Sequence, residues 1–266
     1  MSAGDDNHGG GGDWKLFDLR GKAAVVTGGN GGIGLAIAHG LAAHGADVLI
    51  AARNEKKLAD AAAALAVHGR RVVARRCDVL IDADLEACRD AAVEAFGGVD
   101  VLVNNAGVPS GMPVVHADRD VFQQAFAVNL GGTAAACRIF GPHLLERGRG
   151  SVINIASIWG IRAPRGTAAY AASKAGVIAL TKVLAQEWAS RGVRVNAIAP
   201  GLVNTEMTEL MQDPETMAKL TRNIPMKRSA APREVAGAAV YLASDAAAGY
   251  VTGTVIVVDG GTLARG

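Results

Sequence analysis

The chain has 266 residues, 50% of them hydrophobic, and this length suits one large α/β domain as readily as two small ones. Its 27 Lys and Arg are interleaved with 25 Asp and Glu, so the chain lacks the basic field that binding to nucleic acid or an anionic membrane requires. The three cysteines form no Cys-x-x-Cys pair, and the six histidines have no metal-ligand spacing. This usage predicts no metal site and is typical of core cysteines in a reducing cytoplasm.

The N-terminal residues differ in composition from the rest of the chain. Residues 1–13 are acidic, rich in glycine and nearly free of apolar side chains, which predicts a disordered tail rather than a secretory signal. No repeat, long linker or shift in composition divides residues 14–266, so we expect a single domain there. The most membrane-like stretch, 33–52, contains His39, His44, Gly45 and Asp47, each unfavourable in a lipid-exposed helix, and it predicts a helix, a turn and a strand instead of a membrane span.

Short apolar runs rich in Val and Ile recur along the chain and predict buried strands. Between most of them lie Ala- and Leu-rich segments with helical spacing, which begin at small polar residues suited to N-caps. This alternation predicts an α/β fold with a parallel sheet covered by helices on both faces. The predicted strands are 23–27, 47–51, 71–75, 99–103, 151–155, 193–198 and 254–258. The predicted helices include 54–67 with Asn54 as N-cap, 82–96 with Asp82 and 168–190 with Thr167.

One segment, 202–226, is polar and lacks a strand. Binding sites in open α/β sheets gather at the carboxyl ends of strands, where loops cover the ligand. We therefore predict a substrate-covering insertion at about 202–226, with a surface helical hairpin as the alternative.

A glycine-rich loop follows the first predicted strand. Five of the seven residues from Gly28 to Gly34 are glycines, which neither a helix nor a strand interior tolerates. A loop of this kind before a helix lets a phosphate approach the free N–H groups and the positive end of the helix dipole. The spacing fits both G-x-G-x-x-G and G-x-x-x-G-x-G, and each pattern alone is also compatible with a purely structural turn.

Tyr170 and Lys174 are spaced i, i+4 in a predicted helix and so lie on one face. A phenol has a pKa of about 10, and a neighbouring ammonium favours its ionised form. Such a phenol can give a proton to a carbonyl oxygen as a hydride arrives, or take one from an alcohol. Ser157, just after a predicted strand, could hydrogen-bond the same oxygen. The alternatives are a helix-surface pair and an ordinary turn serine.

Six motifs occur together along the chain, in one order and at one spacing. They are Thr27-Gly28-x-x-x-Gly32-Ile33-Gly34, Asn104-Asn105-Ala106-Gly107, Asn129, Ser157, Tyr170-x-x-x-Lys174 and Pro200-Gly201. From about residue 18 to 261 the chain resembles the short-chain dehydrogenase/reductase family. The resemblance implies a Rossmann-type doubly wound sheet of about seven strands. It also implies an NAD(P)-dependent oxidoreductase that interconverts a ketone and a secondary alcohol.

The resemblance also implies catalytic roles. Tyr170 would be the general acid/base, and Lys174 would lower its pKa and hydrogen-bond the nicotinamide ribose. Ser157 would orient the substrate oxygen, and Asn129 would support a proton-relay water beside Lys174. The chain departs from many relatives at Ala156, where they carry a second serine.

The implied cofactor site extends over most of the chain. Asp78 matches an adenine-contacting position, the residues from Asn105 to Gly107 line the cofactor side of the fourth strand, and Thr205 matches a position that touches the carboxamide. The full predicted set is Gly28, Asn30, Gly32, Ile33, Gly34, Arg53, Asp78, Val79, Asn105, Ala106, Gly107, Tyr170, Lys174, Pro200, Gly201, Val203 and Thr205.

The second predicted strand ends in Ala51-Ala52-Arg53-Asn54, without the acid that NAD-preferring sites use to bind the ribose 2′-hydroxyl. Arg53 offers a planar fork suited to a phosphate. NADP is therefore favoured. NAD is the alternative, because Glu55 is close enough to reach the ribose and position 31 lacks the basic residue of many NADP users.

Residues 224–261 resemble bacterial 3-oxoacyl-thioester reductases and the sugar-acid or polyol dehydrogenases of the family. We accordingly expect a 3-oxoacyl thioester or a small keto or polyol compound as substrate. The resemblance also implies a homotetramer joined through long helices at about 118–147 and 168–190.

Two other functions are open at this stage. A non-catalytic NAD(P)-binding or scaffolding protein would normally have lost Ser157, Tyr170 or Lys174, and all three are present. A methyltransferase can also hold an adenosyl nucleoside on a glycine loop, but it has no use for these three residues.

Overall fold

The computed structural model describes residues 15–206, 208 and 213–265. The predicted tail at 1–13 and part of the predicted insertion at 202–226 lie outside the described residues. The strands are β1 Ala23–Thr27, β2 Asp47–Ala52, β3 Val72–Arg76, β4 Val101–Asn104, β5 Gly150–Ile155, β6 Val193–Pro200 and β7 Val255–Val258. The α-helices are α1 Gly32–Ala43, α2 Glu55–Leu65, α3 Asp82–Phe96, α4 Arg119–Ala125, α5 Gly132–Glu146, α6 Ala168–Trp188, α7 Pro214–Thr221, α8 Pro232–Ala243 and α9 Asp245–Ala248.

The seven strands form one parallel sheet in the order β3-β2-β1-β4-β5-β6-β7. The doubly wound Rossmann-type fold is confirmed. The strand order reverses between β1 and β4. The loops that follow these two strands therefore lead in opposite directions at the carboxyl edge of the sheet. Ligands of doubly wound folds bind in the crevice that this reversal leaves.

The core lies on both faces of the sheet because successive side chains of a strand point to opposite sides. Ala24 and Val26 of β1 belong to the cluster under α1 and α8, whereas Val25 belongs to the cluster under α3 and α5. Helix α1 packs closely on α8, where a Cβ on Gly40 would lie 3.2 Å from the Val240 side chain. Burial on both faces explains why central strands such as β1 and β4 are mostly apolar rather than alternating. The prediction of a buried strand at 71–75 is wrong in this respect, because β3 is an edge strand whose last three residues are exposed.

One of the three predicted N-caps is confirmed. The Asn54 side chain accepts a hydrogen bond from the amide three residues ahead. Asp82 was the wrong choice, because it is the first residue within α3 and its carboxylate pairs with Arg138 at 2.6 Å. Thr167 precedes α6 as predicted, but its hydroxyl donates to the Pro164 carbonyl oxygen, 2.8 Å away, and caps no helix amide.

The predicted long helix at 118–147 is continuous, but it is not α-helical along its whole length. Helix α4 runs into a π-helical segment, Phe126–Gly131, which continues as α5. The stretch 33–52 forms α1, a turn and β2, as expected. Among the described residues of the predicted insertion at 202–226, Pro214–Thr221 form helix α7.

The helix from Ala168 to Arg191 is long and apolar enough to cross a membrane by length and composition, with a mean hydropathy of 1.2. It packs along β6 and buries residues such as Val177, Thr181 and Ala185. A helix packed in this way covers one face of the sheet, and its apolar composition follows from that contact.

Candidate active site

The glycine loop closes tightly over the first turn of α1. Gly28 and Gly32 adopt positive φ angles of 64° and 51°, which favour glycine. A Cβ on Gly34 would lie 2.2 Å from the Gly28 carbonyl oxygen, so no larger residue fits there. Gly31 is extended, and a Cβ there would meet only the Glu206 carboxylate at 4.0 Å. The backbone therefore requires the G-x-x-x-G-x-G spacing of Gly28, Gly32 and Gly34.

Thr27 and Asn105 tie this loop to the end of β4. The Thr27 hydroxyl accepts hydrogen bonds from the Asn105 amide at 3.1 Å and the Ala106 amide at 3.2 Å. The Asn105 side-chain amide in turn donates to the carbonyl oxygens of Thr27 and Gly28 at 3.1 and 3.0 Å. These bonds fix the crevice between β1 and β4. The family motif contains Thr27, but its role as an acceptor was missed.

A cavity of about 320 Å³ opens along this crevice. The free N–H groups at the start of α1 and the glycines that leave most of the loop without side chains fit a dinucleotide pyrophosphate. The cavity wall also includes Lys57, Cys77 and Val108, which were not predicted. The predicted cofactor residues on the wall are Gly28, Asn30, Arg53, Asp78, Val79, Ala106 and Gly107.

At the β2 end of the cavity the exposed charges are mostly positive. Arg53 is exposed and makes no ion pair within the described part of the chain. Lys57, four residues further on, faces the same cavity and pairs with Glu206 at 2.5 Å. Glu55, the residue that argued for NAD, is not on the cavity wall. Asp78 accepts a hydrogen bond from the Leu80 amide through one carboxylate oxygen, at 3.0 Å.

Lys174 and Tyr170 lie side by side on α6, as their spacing predicts. The Lys174 ammonium is buried, donates to the Ile155 carbonyl oxygen at 2.8 Å and lies 5.8 Å from the centre of the Tyr170 ring. Burial lowers the pKa of Lys174 to about 8. The Ile155 carbonyl, at the end of β5, is a partner that no sequence motif indicated.

Two features of its surroundings act on the pKa of Tyr170. Burial raises the pKa of the phenol, and a hydrogen bond with Ser157 acts in the opposite direction. The Lys174 ammonium bonds to the Ile155 carbonyl oxygen in this structure, and its effect on the pKa of Tyr170 stays a prediction. Tyr170 is therefore held as the neutral phenol, which is the form that donates a proton.

Ser157 is the second residue after β5 and is buried. Its hydroxyl oxygen accepts from the Trp159 amide at 3.1 Å and caps the short turn Ile158–Gly160. The Trp159 ring meets the Tyr170 ring edge-on, with 5.9 Å between ring centres. Ala156, the departure from many relatives, is buried in a small apolar cluster.

Asn129 lies in the π-helical segment and is fully buried. Its side chain accepts from the Val108 amide at 2.8 Å and donates to the Val108 carbonyl oxygen and the Ser173 hydroxyl. Through Ser173, the residue before Lys174, it connects the segment after β4 to α6. A Cβ on Gly107 would lie 3.0 Å from the Asn129 side-chain oxygen, so a larger residue there would displace the Asn129 side chain.

The remaining predicted residues lie around the cavity rather than on its wall. Pro200 ends β6, and the Gly201 amide donates to the Val258 carbonyl oxygen at 2.9 Å. Val203 forms an isolated bridge with Ala230. The Thr205 side chain would lie 3.3 Å from a Cβ on Gly32, so the segment after β6 contacts the glycine loop. Ile33 packs against the core beneath the loop.

No group of three or more His, Cys, Asp or Glu side chains suited to a metal occurs in the part of the chain that the structure describes. The polar groups near Tyr170 are instead a phenol, a hydroxyl, an ammonium and a carboxamide. This set suits proton transfer and hydrogen bonding.

Many known proteins have similar sequences or the same fold. A family model described as enoyl-(acyl carrier protein) reductase matches residues 28–262. 3beta-Hydroxysteroid dehydrogenase 1 of Eggerthella lenta is 44% identical over 92% of this chain and 94% of its own length. Galactitol 2-dehydrogenase (L-tagatose-forming) of Cereibacter sphaeroides is 42% identical over 92% and 96%.

Two solved structures show the same likeness. Levodione reductase superposes with a TM-score of 0.90 at 32% identity and covers 93% of this chain and 100% of its own. An Agrobacterium tumefaciens protein described as a 2-deoxy-D-gluconate 3-dehydrogenase, solved with bound NADP, has a TM-score of 0.86 and 40% identity over 94% and 99%.

None of these comparisons supports a methyltransferase or a non-catalytic scaffolding protein. All of the relatives named above are dehydrogenases or reductases that match nearly the whole chain. The chain belongs to the short-chain dehydrogenase/reductase family and is an NAD(P)-dependent oxidoreductase that interconverts a ketone and a secondary alcohol.

Proposed function

We propose that Tyr170 is the general acid/base of this reaction and that Ser157 orients the substrate oxygen. The observation that carries the proposal is the proximity of the two side chains at the carboxyl edge of the sheet: the Ser157 hydroxyl is close enough to the phenol to act on its pKa, and the Trp159 ring next to Ser157 meets the Tyr170 ring edge-on. A reduced nicotinamide, when bound, supplies the hydride that reaches the carbonyl carbon. Tyr170 gives its phenolic proton to the carbonyl oxygen, and the Ser157 hydroxyl donates a hydrogen bond to the same atom. In the reverse direction Tyr170 takes the proton from the alcohol.

Lys174 and Asn129 act beside the reacting tyrosine. A protonated Lys174 ammonium stabilises the phenolate that remains after proton transfer, and it lies where it can donate to the nicotinamide ribose. Its pKa of about 8 lets it gain and lose a proton near neutral pH. Asn129 holds the Val108 backbone and Ser173 in place and supports a water that carries the proton onward.

The proposed cofactor is NADP. The exposed Arg53 and Lys57 both face the cavity at the end of β2, where an acid would favour NAD. The Asp78 carboxylate beside Val79 suits an adenine amino group. The glycine loop suits the pyrophosphate, and the segment from Pro200 to Thr205 contacts that loop next to the proposed nicotinamide position.

The substrate is a small-molecule carbonyl or alcohol. Relatives are named for a hydroxysteroid, galactitol and gluconate, and one for a 3-oxoacyl-[acyl-carrier-protein]. A 3-oxoacyl thioester or a small keto or polyol compound remains the class that the sequence motifs favour. We further propose a cytoplasmic homotetramer joined through the helices at 119–146 and 168–188, which expose Phe126 and Val183.

The proposed chemistry is tested by following nicotinamide absorbance with NADPH and a panel of ketones and thioesters. Tyr170→Phe removes the acidic hydroxyl while keeping the ring, and we expect kcat/KM to fall by about 10³-fold. Tyr250→Phe is the matched control, because Tyr250 is fully exposed and far along the chain. Turnover by Tyr170→Phe at a rate close to that of the wild type would exclude Tyr170 as the acid/base.

A further inference from the structure

Two histidines from different parts of the chain meet beside α1. His39 lies in the second half of α1, and His68 ends the short turn Ala66–His68 that follows α2. The His39 Nδ1 lies 2.9 Å from the His68 Nε2, which is a hydrogen-bond distance. The ring centres are 5.2 Å apart and the ring planes meet at 76°, so the rings do not stack. The contact is a hydrogen bond in which one ring donates an N–H and the other ring accepts it.

This histidine pair joins the two helices that border the proposed cofactor site. Helix α1 begins in the glycine loop, and α2 begins after Arg53 and its N-cap Asn54. Each helix connects two neighbouring parallel strands, so both helices begin at the carboxyl edge of the sheet. The apolar side chains of Ile37 in α1 and Leu65 in α2 belong to one buried cluster. The histidine pair therefore adds a polar contact to helices whose first turns face the cofactor cavity.

The bond between the two rings depends on their protonation. A histidine ordinarily titrates near pH 6.5. With no added proton, or with one, a facing nitrogen remains free to accept the hydrogen bond. With a proton on both facing nitrogens, each ring is a donor, so the bond is lost and two positive charges face each other. Both rings are partly buried, which makes a second charge there more costly.

The surroundings of the pair do not compensate a second proton. Burial lowers the pKa of His39, and the charge of His68 lowers it further. No carboxylate of the described residues acts on this pKa to raise it. Arg70 and Arg71 pair with Asp47 at the start of β2, and Glu234 of α8 pairs with Arg228. The charged residues of the elements around the pair are Glu55, Lys56, Lys57 and Asp60 of α2, Arg70 and Arg71 after the turn, Asp47 of β2, and Arg233 and Glu234 of α8.

We propose that the His39–His68 pair is a proton-sensitive contact that couples cofactor binding to pH. The inference rests on the proposed cofactor site at the first turns of α1 and α2. A cofactor that contacts both first turns favours the arrangement of the helices in which the pair is bonded. Because coupling between two binding events is reciprocal, a second proton on the pair weakens cofactor binding, and cofactor binding releases that proton.

The pH range of this coupling follows from the direction of the shift at His39. Its pKa is lowered in the folded protein, so the unfolded chain binds more protons as the pH falls below about 6.5. The stability that neutral His39 contributes is therefore present above that pH and is lost as the pH falls. We expect the effect on cofactor binding in the same acidic range and none at about pH 8.

The experiment titrates the full-length protein with NADP⁺ by calorimetry at about pH 8 and at about pH 5.5. The Kd should rise about threefold more on acidification in the wild type than in His68→Gln, because a glutamine amide still bonds to His39 but takes up no proton. The titration of the 2′-phosphate is common to both proteins, so the difference between them reports the pair. Buffers of different ionisation enthalpy should show additional proton release on binding at the acidic pH in the wild type.

The second variant and the control lie on α1. His39→Gln should remove the same pH dependence, and the double variant should add nothing to either single change, because each breaks one shared contact. His44→Gln is the matched control. His44 is exposed at the end of α1, and its Nδ1 bonds to the Gly40 carbonyl oxygen of that helix at 2.8 Å.

The outcomes separate this inference from the proposed cofactor site. An equal pH dependence of Kd in the wild type and in both glutamine variants would overturn the coupling, even if their thermal unfolding differed. Weakening of Kd by the same factor at both pH values would show that the pair only packs the helices. Failure of the wild type to bind NADP⁺ at about pH 8 would instead overturn the proposed cofactor site itself.

Discussion

The two sides of the site at the carboxyl edge are built differently. On the cofactor side, between β1 and β4, backbone groups are held by the Thr27 hydroxyl and the Asn105 amide, and Gly34 leaves no room for a side chain. On the substrate side, large side chains such as Ile161 and Met112 project into solvent. The first region is defined by close contacts, and the second by exposed surface.

This difference explains how relatives share one chemistry and act on different molecules. The cofactor side tolerates few replacements, because each of them breaks a hydrogen bond or creates a steric overlap. The substrate side tolerates many, because exposed side chains contribute little to stability. Relatives named for a hydroxysteroid and for galactitol are accordingly 44% and 42% identical to this chain.

The strongest test of the comparison is at the glycine loop. Gly34→Ala places a Cβ 2.2 Å from a backbone oxygen, and we expect the free energy of unfolding to fall by about 3 kcal/mol and NADPH binding to be lost. Gly31→Ala, three residues earlier, should cost no more than about 1 kcal/mol. Denaturant unfolding and calorimetric titration measure both quantities. Equal effects of the two changes would show that steric contact does not define this loop.

Lys174 provides a test at the boundary between the two sides. Burial lowers the pKa of Lys174 from 10.5 to about 8, so the unfolded chain binds more protons between these pH values. Stability relative to Lys174→Met therefore rises as the pH increases through this window, by about 2 kcal/mol between pH 7 and pH 10. Urea unfolding at several pH values measures the difference. The exposed Lys182→Met is the control, and parallel curves for Lys174→Met and the wild type would contradict the prediction.

Substitutions of Thr27 test whether its hydrogen bonds to the end of β4 stabilise the crevice between β1 and β4. Thr27→Val keeps the shape of the side chain but removes the acceptor for two backbone amides, and we expect a loss of about 2 kcal/mol in the free energy of unfolding. Thr27→Ser retains the hydroxyl and should cost less than about 1 kcal/mol. If valine were tolerated as well as serine, the link between β1 and β4 would not depend on this hydroxyl.

The smallest expected effect concerns the choice of cofactor. Arg53→Ala should lower the preference for NADPH over NADH by about tenfold, because the guanidinium no longer pairs with the 2′-phosphate. Steady-state kinetics with each cofactor give the ratio. Lys56→Ala, an exposed neighbour that does not face the cavity, should leave it unchanged. A ratio that Arg53→Ala does not alter would remove Arg53 from cofactor recognition.

The sequence predicts the sheet well, because strands buried on both faces appear as unbroken Val and Ile runs. It also predicts that Tyr170 and Lys174 are neighbours, since helical geometry alone places i and i+4 together. The glycine motif predicts where the loop is, and the positive φ angles of Gly28 and Gly32 then show which of two spacings applies.

Other features depend on contacts that no local pattern reveals. The Lys174 ammonium bonds to a backbone carbonyl 19 residues earlier, and any residue at position 155 would supply that oxygen. The pKa of Tyr170 depends on burial, which the spacing to Lys174 does not indicate. Asp82 and Thr167 are plausible caps, but each finds a different partner once the tertiary structure forms.

The π-helical segment at 126–131 has a consequence for insertions and deletions. A π-turn is an α-helix with one extra residue, so deleting a single residue between Phe126 and Gly131 would restore regular helical geometry. Because the wide turn absorbs that residue, α4 and α5 would keep their relative orientation, and the side chains inside the segment would change direction. Asn129 could then no longer bond to both Val108 and Ser173. The two contacts of this one carboxamide therefore fix the number of residues in the helix.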